Sequence, residues 1–409
     1  MTKNTHNIRI AVIGGGPAGL MACEALVHQG INVDLYDAMP SLGRKFLMAG
    51  KSGLNLTHGE PFADFVGKFG QAQPSLEPAL NAFTPTDIQA WASGLSIETF
   101  VGSSKRVFPK DFKAAPLLRS WLRKLRANGL TVHARHEWCG WDADGNLVFA
   151  SPKGHTIVQA ERVILALGGA SWPKLGSNAH WVPLLNQRGV DITPLKPSNC
   201  GFDVDWSDHF IERYEGCPVK NITLQFGGER LSGEFIITKT GIEGGPVYGL
   251  SSRLLNTIED TGTATMGIDL LPDRTGADVQ QRIARPRGKK SMSTHLKKAL
   301  NLTGVKTGLL HECLDKTAFS DQIHLATQIK ALPLKLNRPR PIDEAISTSG
   351  GVAWYAMDGQ FQLKTIPHTY VCGEMMDWDA PTGGYLLSAC MATGRWVGAA
   401  VANDLSENA

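Results

Sequence analysis

The chain has 409 residues, of which 42% are hydrophobic, 19% are charged and 44 are glycine. This balance excludes a disordered or fibrous protein and predicts about two or three globular domains. The formal net charge of +3 is too small to indicate, by itself, a protein that acts on nucleic acids or membrane surfaces.

The chain also lacks the usual features of an exported protein. The N-terminus up to Arg9 is polar and does not resemble a signal peptide. No apolar stretch reaches the roughly 20 residues that a membrane span needs. The seven cysteines are scattered, without a C-x-x-C pair or the even ladder of a secreted disulfide scaffold. These features predict a cytoplasmic protein without membrane attachment.

The first elements in chain order are a strand, a glycine-rich turn and a helix. The apolar run from Ile8 to Ile13 predicts a strand buried on both faces of a parallel sheet. The turn that follows fits G-x-G-x-x-G, the fingerprint of a dinucleotide site. Gly14 allows the tight turn, Gly16 lets the backbone approach a pyrophosphate, and Gly19 lets helix and strand pack closely.

A second strand completes this unit. It runs from Ile31 to Tyr36 and ends at Asp37, whose carboxylate is placed to accept a ribose 2′-hydroxyl. We therefore predict a dinucleotide site that also includes Pro17 and Ala18. An acid at position 37 disfavours the extra phosphate of NADP, which leaves FAD or NAD.

A further buried strand, Arg162 to Leu167, runs through Ala166 into the glycine pair at Gly168. We predict that it returns the chain to the cofactor domain, with Trp138 in a short preceding strand beside the adenine. The alternative is that the glycine pair marks only a turn.

The far end of the chain decides between the two cofactors. A strand ends at Gly373 and Glu374, and Gly383 and Gly384 then open a C-terminal helix. Flavoproteins with two dinucleotide-binding folds use such an element on the same cofactor. Glu374 or Asp377 can bind ribityl hydroxyls, and the helix points its positive end at the flavin. A simple NAD dehydrogenase does not need this element, although a surface turn before a hydrophobic helix is the alternative. We predict FAD, bound by both ends of the chain.

Five segments taken together resemble one protein family. They are Gly14 to Gly19, Leu42 to Leu47, Asn55 to Thr57, Gly168 to Pro173, and Gly373-Glu374 with Gly383 to Tyr385. The chain resembles the BaiN-like (aminoacetone-oxidase-like) family of bacterial FAD-dependent oxidoreductases over essentially its whole length. The resemblance implies an α/β fold of the two-dinucleotide-fold type. In that fold both chain ends form a Rossmann-like FAD domain, and the insertion is a β-barrel-like domain plus a small helical domain.

The patterning of the middle region agrees with such an insertion. Short strands between turns begin near residue 193, and sparser glycine with helical periodicity begins near residue 277. The predicted bounds are 1–192 and 341–409 for the FAD domain, 193–276 for the barrel-like domain and 277–340 for the helical domain.

The resemblance also adds Arg44, Lys45 and Asn55 to the predicted cofactor contacts. The chain departs from the family at one place, because many members carry Gly-Gly-Gly-Arg-Cys-Asn where residues 50–55 read Gly-Lys-Ser-Gly-Leu-Asn. Leu54 cannot donate a proton, so a mechanism that uses a thiol acid at this position cannot be carried over.

Two residues are candidates for catalysis. Lys51 could supply the positive charge that the missing arginine provides elsewhere in the family. Tyr385 follows the Gly-Gly turn near the expected flavin edge, and its phenol is the predicted proton donor. No cluster of residues has metal-ligand spacing, and no P-loop occurs, so no metal is predicted.

Two segments are strongly basic. Residues 281–300 hold seven basic side chains and no acid, and residues 105–126 hold eight basic side chains against Asp111. Such segments can contact an anionic substrate, including RNA phosphates, or they can be solvated helix faces.

Three functions follow as hypotheses. The first is an FAD-dependent oxidoreductase that reduces a conjugated C=C or oxidises a small amine or ketone, with NAD(P)H or oxygen as redox partner. No second G-x-G-x-x-G fold is visible for NAD(P)H, so that reductant would bind transiently. The alternative is a flavoenzyme that reduces uridine in ribosomal RNA, and a second alternative is a non-catalytic redox sensor that binds flavin. The family acts on diverse substrates, so the fold alone does not select among them.

Overall fold

The computed structural model describes residues 5–51 and 53–407, and the chain divides into two compact units. The first unit comprises residues 1–196 and 347–409, and the second unit comprises residues 197–346. The chain therefore leaves the first unit once and returns to it. The further division of the inserted region near residue 277 stays a prediction.

The strands are, in chain order, β1 (Thr5–Ile13), β2 (Val33–Asp37), β3 (Thr57–His58), β4 (Thr99–Val101), β5 (Arg106–Pro109), β6 (Leu130–Ala134), β7 (Glu137–Trp141), β8 (Leu147–Ser151), β9 (Gly154–Leu165), β10 (Ile192–Ser198), β11 (Phe202–Asp203), β12 (Pro218–Phe226), β13 (Glu229–Ile237), β14 (Gly241–Glu243), β15 (Ala264–Asp269), β16 (Leu332–Leu336), β17 (Arg338–Pro339), β18 (Ser347–Val352) and β19 (Thr369–Val371).

The α-helices are α1 (Pro17–His28), α2 (Arg44–Ala49), α3 (Phe62–Val66), α4 (Gln73–Ala82), α5 (Pro85–Gly94), α6 (Ala114–Ala127), α7 (Trp181–Asn186), α8 (Asp208–Tyr214), α9 (Gly245–Thr261), α10 (Gly276–Ile283), α11 (Met292–Leu300), α12 (Val305–Cys313), α13 (Gln322–Lys330) and α14 (Tyr385–Glu407).

The main sheet of the first unit has seven strands in the order β6-β2-β1-β9-β8-β7, with β19 also paired to β9. The pairs among β6, β2, β1, β9 and β19 are parallel. Apolar side chains such as Val12 and Ile164 are fully buried in this sheet, as expected for strands covered on both faces. The carboxyl ends of the parallel strands meet at one edge. The residues that follow them, beginning with Gly14 and Ala166, therefore lie together.

The two ends of the chain pack against each other through small residues. A Cβ atom at Gly394 of α14 would lie 2.1 Å from the carbonyl oxygen of Ala18 in α1, and one at Gly398 would lie 2.5 Å from that of Ala22. Only glycine allows the two helix backbones to approach this closely. The C-terminal helix is thus fixed against the first helix, and both chain ends build the first unit.

The second unit has its own sheet and core. Seven antiparallel strands follow the order β16-β15-β12-β13-β14-β11-β17, and helices α8 to α13 complete the unit. Its core is formed by side chains such as Phe202, Leu224 and Leu325, which are fully buried. Within the described part of the chain, no helix is long and apolar enough to cross a membrane. The cytoplasmic location stays a prediction.

Candidate cofactor and active site

A cleft opens at the carboxyl edge of the parallel sheet in the first unit. Eleven of the predicted cofactor residues line it, namely Gly14, Gly16, Pro17, Ala18, Asp37, Arg44, Lys45, Trp138, Ala166, Gly168 and Glu374. They come from α1, α2 and β7, from the end of β2 and from the turns after β1, β9 and β19. Sequence reasoning therefore found residues that the fold brings together, and their contact with a cofactor stays a prediction.

The glycine-rich turn shows why the glycines are needed. Gly14 has φ +108°, and a Cβ atom there would lie 2.2 Å from the carbonyl oxygen of Ala166. A Cβ atom at Gly19 would lie 2.0 Å from the carbonyl oxygen of Gly14. Both glycines are thus required by the packing of the protein itself.

Gly16 is different because the protein does not require a glycine there. It caps α1 with an extended backbone, φ −80° and ψ −179°, that any residue can adopt. A Cβ atom at this position would meet no atom within 4 Å. The open space lies at the start of α1, where backbone N–H groups favour an anion. A bound pyrophosphate explains the glycine, so the turn fits a dinucleotide.

Asp37 holds this turn in place as well as facing the cleft. Its Oδ2 atom accepts a hydrogen bond from the backbone N–H of Gly15, and its Oδ1 atom accepts one from Met39, both at 2.7 Å. Burial raises the pKa of the Asp37 carboxyl, although these two N–H groups oppose that rise. Each carboxylate oxygen keeps a lone pair with which it can accept a ribose hydroxyl.

Several polar atoms in the cleft are buried without a partner. Arg44 Nε, Trp138 Nε1 and Ser177 Oγ have no hydrogen-bond partner among the described residues. Buried polar groups normally find partners, so a set of three such atoms in one cleft indicates a ligand. A guanidinium, an indole N–H and a hydroxyl suit the phosphates and polar edges of a dinucleotide. The donor set therefore fits FAD.

An ion pair crosses the cleft. Lys45 Nζ lies 2.7 Å from Glu374 Oε2 and also donates to Ser171 Oγ at 2.6 Å. The other carboxylate oxygen of Glu374 accepts from the backbone N–H of Thr348 at 3.0 Å. The Thr348 hydroxyl oxygen in turn accepts from the N–H groups of Ala170 and Ser171. This network connects segments that are far apart in sequence, and sequence reasoning missed Ser171 and Thr348.

Two cysteines also line the cleft, Cys372 and Cys390. Burial raises the pKa of both thiols well above the ordinary value. Both thiols therefore stay protonated near neutral pH, and neither has the lowered pKa of a nucleophilic cysteine.

A second group of predicted residues lies together in the first unit, outside the lining of the cleft. Gly383, Gly384 and Tyr385 lie against β3, and Asn55 precedes that strand by two residues. A Cβ atom at Gly384, φ +96°, would lie 2.7 Å from the backbone of Thr57. Asn55 Oδ1 is buried and has no partner among the described residues.

The hydroxyl of Tyr385 is held by residues that sequence reasoning missed. It donates a hydrogen bond to Glu60 Oε1. The same oxygen lies 3.3 Å from Nδ1 of His58, whose ring stacks on Tyr385 with centroids 5.0 Å apart. Burial, reinforced by Glu60, raises the pKa of the Tyr385 phenol, and burial lowers the pKa of His58. We name Tyr385, Glu60 and His58 the tyrosine cluster.

The remaining predicted residues have other positions. Gly373, φ +79°, packs on Ala18, because a Cβ there would lie 2.7 Å from the Ala18 Cβ. Asp377 accepts a hydrogen bond from the Thr193 hydroxyl at 2.6 Å and does not line the cleft. Of the two acids proposed for the ribityl chain, Glu374 is therefore the one in the cleft.

Comparisons with known proteins agree with this geometry. The family model described as HI0933-like protein Rossmann domain matches residues 8–400. The chain belongs to this family. Membership confirms the BaiN-like resemblance and the α/β Rossmann-type FAD-binding fold, and it makes this HI0933-like protein an FAD-dependent oxidoreductase.

Similar proteins include enzymes with different substrates. The 3-dehydro-bile acid delta(4,6)-reductase of Clostridium scindens is 24% identical and is matched over 96% of this chain and 99% of its own. The ribosomal RNA dihydrouridine synthase of Haemophilus influenzae is 22% identical over 94% and 95%. Among solved structures, the 3-ketosteroid delta1-dehydrogenase of Sterolibacterium denitrificans, bound to 1,4-androstadiene-3,17-dione, has a TM-score of 0.53. It is 11% identical and covers 98% of this chain and 100% of its own, and this likeness concerns the fold.

Residues 50–55, where the sequence departs from the family pattern, include two positions that bear on catalysis. Leu54 is fully buried, so the position of the missing cysteine is part of the core. Lys51 is exposed and does not line the cleft. Its predicted role in catalysis stays a prediction, as does that of Tyr385. Among the described residues, no group of His, Cys, Asp and Glu side chains could hold a metal ion.

Proposed function

We propose that this HI0933-like protein is an FAD-dependent reductase that saturates a conjugated C=C of a small carbonyl compound, with NAD(P)H as transient reductant. The observation that supports the FAD site is the open space at Gly16, because packing within the protein gives no reason for a glycine at this position. The substrate class rests on similarity over 96% of the chain to a protein named as a 3-dehydro-bile acid reductase.

The cleft residues divide the work of holding FAD. The start of α1 at Gly16 would hold the pyrophosphate, and Arg44, whose Nε atom has no partner among the described residues, would supply a charged donor to it. Asp37 would accept a ribose hydroxyl, and Glu374 would accept from the ribityl chain. When bound, FAD supplies the hydride chemistry. The protein supplies position and charge.

Proton delivery falls to the tyrosine cluster. Saturating a C=C adds one hydride and one proton, so a proton must reach the substrate carbon that the hydride does not. The raised pKa of Tyr385 keeps its phenol protonated near neutral pH. The Tyr385 hydroxyl donates a hydrogen bond to Glu60 Oε1, which fixes the orientation of the phenol, and solvent would return a proton to the phenolate after each transfer.

An anaerobic titration tests the proposal. The purified protein should show flavin absorption that NADPH or NADH bleaches and that a steroid enone restores with consumption of the enone. If an amine or ketone reduces the flavin and oxygen then reoxidises it, the protein is an oxidase and the proposed reductase activity is wrong. Bound flavin that no reductant or oxidant turns over would instead support a redox sensor.

A ribosomal RNA substrate is the second candidate, and one surface of the first unit favours it. The rings of Phe100, Phe108 and Phe112 form a cluster with centroids 5.2 to 5.8 Å apart, and Phe112 is 47% exposed. Lys113, the residue after Phe112, and Lys105, between β4 and β5, are exposed. Aromatic faces next to lysines suit the bases and phosphates of single-stranded RNA.

This candidate has its own test. Binding of a ribosomal RNA fragment should weaken steeply with salt and should fall in Phe112→Ala and Lys113→Gln. Lys153→Gln, on an exposed turn elsewhere in the first unit, serves as the control. Absence of binding at low salt contradicts an RNA substrate.

A further inference from the structure

The second unit contains a groove that the proposed function does not use. Helices α8, α11 and α12 surround it, and its volume is about 750 Å³. All of the residues that line it belong to the second unit. We call it the helix groove.

Each of the three helices presents a polar pair to the helix groove. The pairs are His209 and Arg213 on α8, Ser293 and Lys297 on α11, and Thr307 and His311 on α12. The members of each pair are four residues apart, so they share one face of their helix. Polar side chains therefore reach the groove from all three helices.

The charge of the helix groove is positive. Arg213 and Lys297 are both exposed, and neither forms an ion pair within the described residues. The acid among the lining residues is Glu312, whose two oxygens accept from the N–H of Ser207 at 2.6 Å and from its hydroxyl at 2.8 Å. Glu312 therefore caps the start of α8. The lining has two cationic side chains, Arg213 and Lys297, against this one carboxylate.

The start of α12 lies at the helix groove, close to these cations in the lining. Gly304 precedes the helix with φ 60° and ψ −134°, and no side chain caps the helix there. The first N–H groups of an uncapped helix carry a partial positive charge and attract anions. A cap residue with a side-chain acceptor would satisfy these groups, but glycine leaves them available.

The hydroxyl of Thr307 supplies an independent observation. Thr307 lies in the first turn of α12, lines the groove and is only 9% exposed. Its Oγ1 atom is buried and has no hydrogen-bond partner among the described residues. A buried hydroxyl normally has a partner, so this atom indicates a group that is yet to be bound.

We propose that the helix groove binds a phosphate group, held by the start of α12, the Thr307 hydroxyl and the side chains of Lys297 and Arg213. The phosphate belongs either to a nucleotide or to an RNA strand. Arginine and lysine provide the charge, and the hydroxyl and helix N–H groups provide directed hydrogen bonds. This site is separate from the cofactor cleft and goes beyond the proposed function.

Calorimetric titration of the FAD-loaded full chain, freed of unbound FAD, tests this site. The probes are cytidine 5′-monophosphate, cytidine as the phosphate-free control, and a single-stranded RNA oligomer. We expect a phosphate-bearing probe to bind and Lys297→Gln to weaken it about tenfold, the loss of one charged hydrogen bond. Lys298→Gln, on the same helix but outside the groove, should leave the affinity for the monophosphate unchanged.

A second variant separates binding from folding. Thr307→Val removes the hydroxyl with little change of shape, and it should weaken binding while Thr307→Ser retains it. The nucleotide and the RNA oligomer distinguish the two sources of the phosphate. The proposal is overturned if neither binds at low salt, if cytidine binds as well as its monophosphate, or if Lys297→Gln and Lys298→Gln weaken binding equally.

Discussion

Lys45 and Glu374 are 329 residues apart in the chain, and their side chains form an ion pair of 2.7 Å in the cofactor cleft. The Glu374 side chain is 6% exposed and that of Lys45 is 24% exposed. The pair therefore joins the second βα unit to the turn after β19, and it fixes the carboxylate that we assign to the ribityl chain. A charge buried to this degree depends on its partner.

Loss of that partner should destabilise the protein. Lys45→Met leaves the Glu374 carboxylate buried with its other hydrogen bond, from Thr348, as the remaining support. We expect the free energy of unfolding to fall by about 2 kcal/mol, less than for a fully buried pair because Lys45 is partly exposed. Chemical denaturation measures this change. The double variant Lys45→Met with Glu374→Gln should recover part of the loss, and equal losses in the two variants would contradict the pairing.

Gly16 and Gly19 should respond in opposite ways to the same substitution. Gly16→Ala meets no protein atom within 4 Å, so the free energy of unfolding of the apoprotein should change by less than about 1 kcal/mol. The FAD dissociation constant should rise at least about tenfold, because the methyl group takes space meant for the pyrophosphate. Gly19→Ala, whose Cβ would lie 2.0 Å from the Gly14 carbonyl oxygen, should destabilise the apoprotein itself. Fluorescence titration with FAD and thermal unfolding compare the two.

The cofactor cleft could be predicted because its signals are local. One βαβ unit contains a buried strand, the glycine spacing and the terminal acid Asp37. Each of these features depends on local backbone geometry and can therefore be recognised in the sequence. The second glycine turn, at Gly383, gives a similar local signal, but it lies outside the lining of the cleft.

The tyrosine cluster could not be predicted from such signals. Glu60 follows the two-residue strand β3, and it meets Tyr385 only because α14 packs against that strand. No spacing rule connects residues 325 positions apart. Ser171 and Thr348 escaped prediction in the same way, because their roles come from the tertiary approach of loops. The i, i+4 pairs of the helix groove are visible in sequence, but only the packing of three helices makes them one site.

The ion pair between Arg162 and Asp404 predicts a pH dependence of stability. The Arg162 guanidinium, at 2.5 Å, and the Tyr370 hydroxyl hold the pKa of the Asp404 carboxyl below its ordinary value. A lowered pKa means that the folded protein favours the ionised form, so the stabilisation is present above the unfolded pKa of about 3.9. It is lost as the pH falls through the folded value.

Asp404→Asn should therefore lower the free energy of unfolding by about 1 kcal/mol at pH 7, a modest value because the carboxylate is 26% exposed. The difference from the unsubstituted protein should shrink as the pH falls below about 4. Tyr370→Phe, which removes the weaker hydrogen bond, is the control and should cost less. Urea unfolding across this pH range makes the measurement, and a difference that grows towards low pH would show that another group is responsible.

The tyrosine cluster should separate proton transfer from flavin reduction. Tyr385→Phe keeps the ring that stacks on His58 and contacts Phe65, and it removes only the hydroxyl. Reduction of the bound flavin by NAD(P)H needs no proton from this side chain, so its rate should be unchanged. Transfer to the C=C substrate should slow about a hundredfold, the usual contribution of a general acid.

Glu60→Gln is the matched test, because glutamine keeps a hydrogen-bond acceptor for the phenol and removes the carboxylate charge. Substrate reduction should slow less in this variant than in Tyr385→Phe, because the phenol is retained, while the flavin content stays that of the unsubstituted protein. Stopped-flow absorbance at the flavin band follows both half-reactions separately. If Tyr385→Phe slows flavin reduction and substrate reduction equally, the hydroxyl positions the flavin instead of donating the proton. If neither step changes, the proton comes from elsewhere, and Asn55, whose Oδ1 atom is buried without a partner among the described residues, then marks the place to look for its donor.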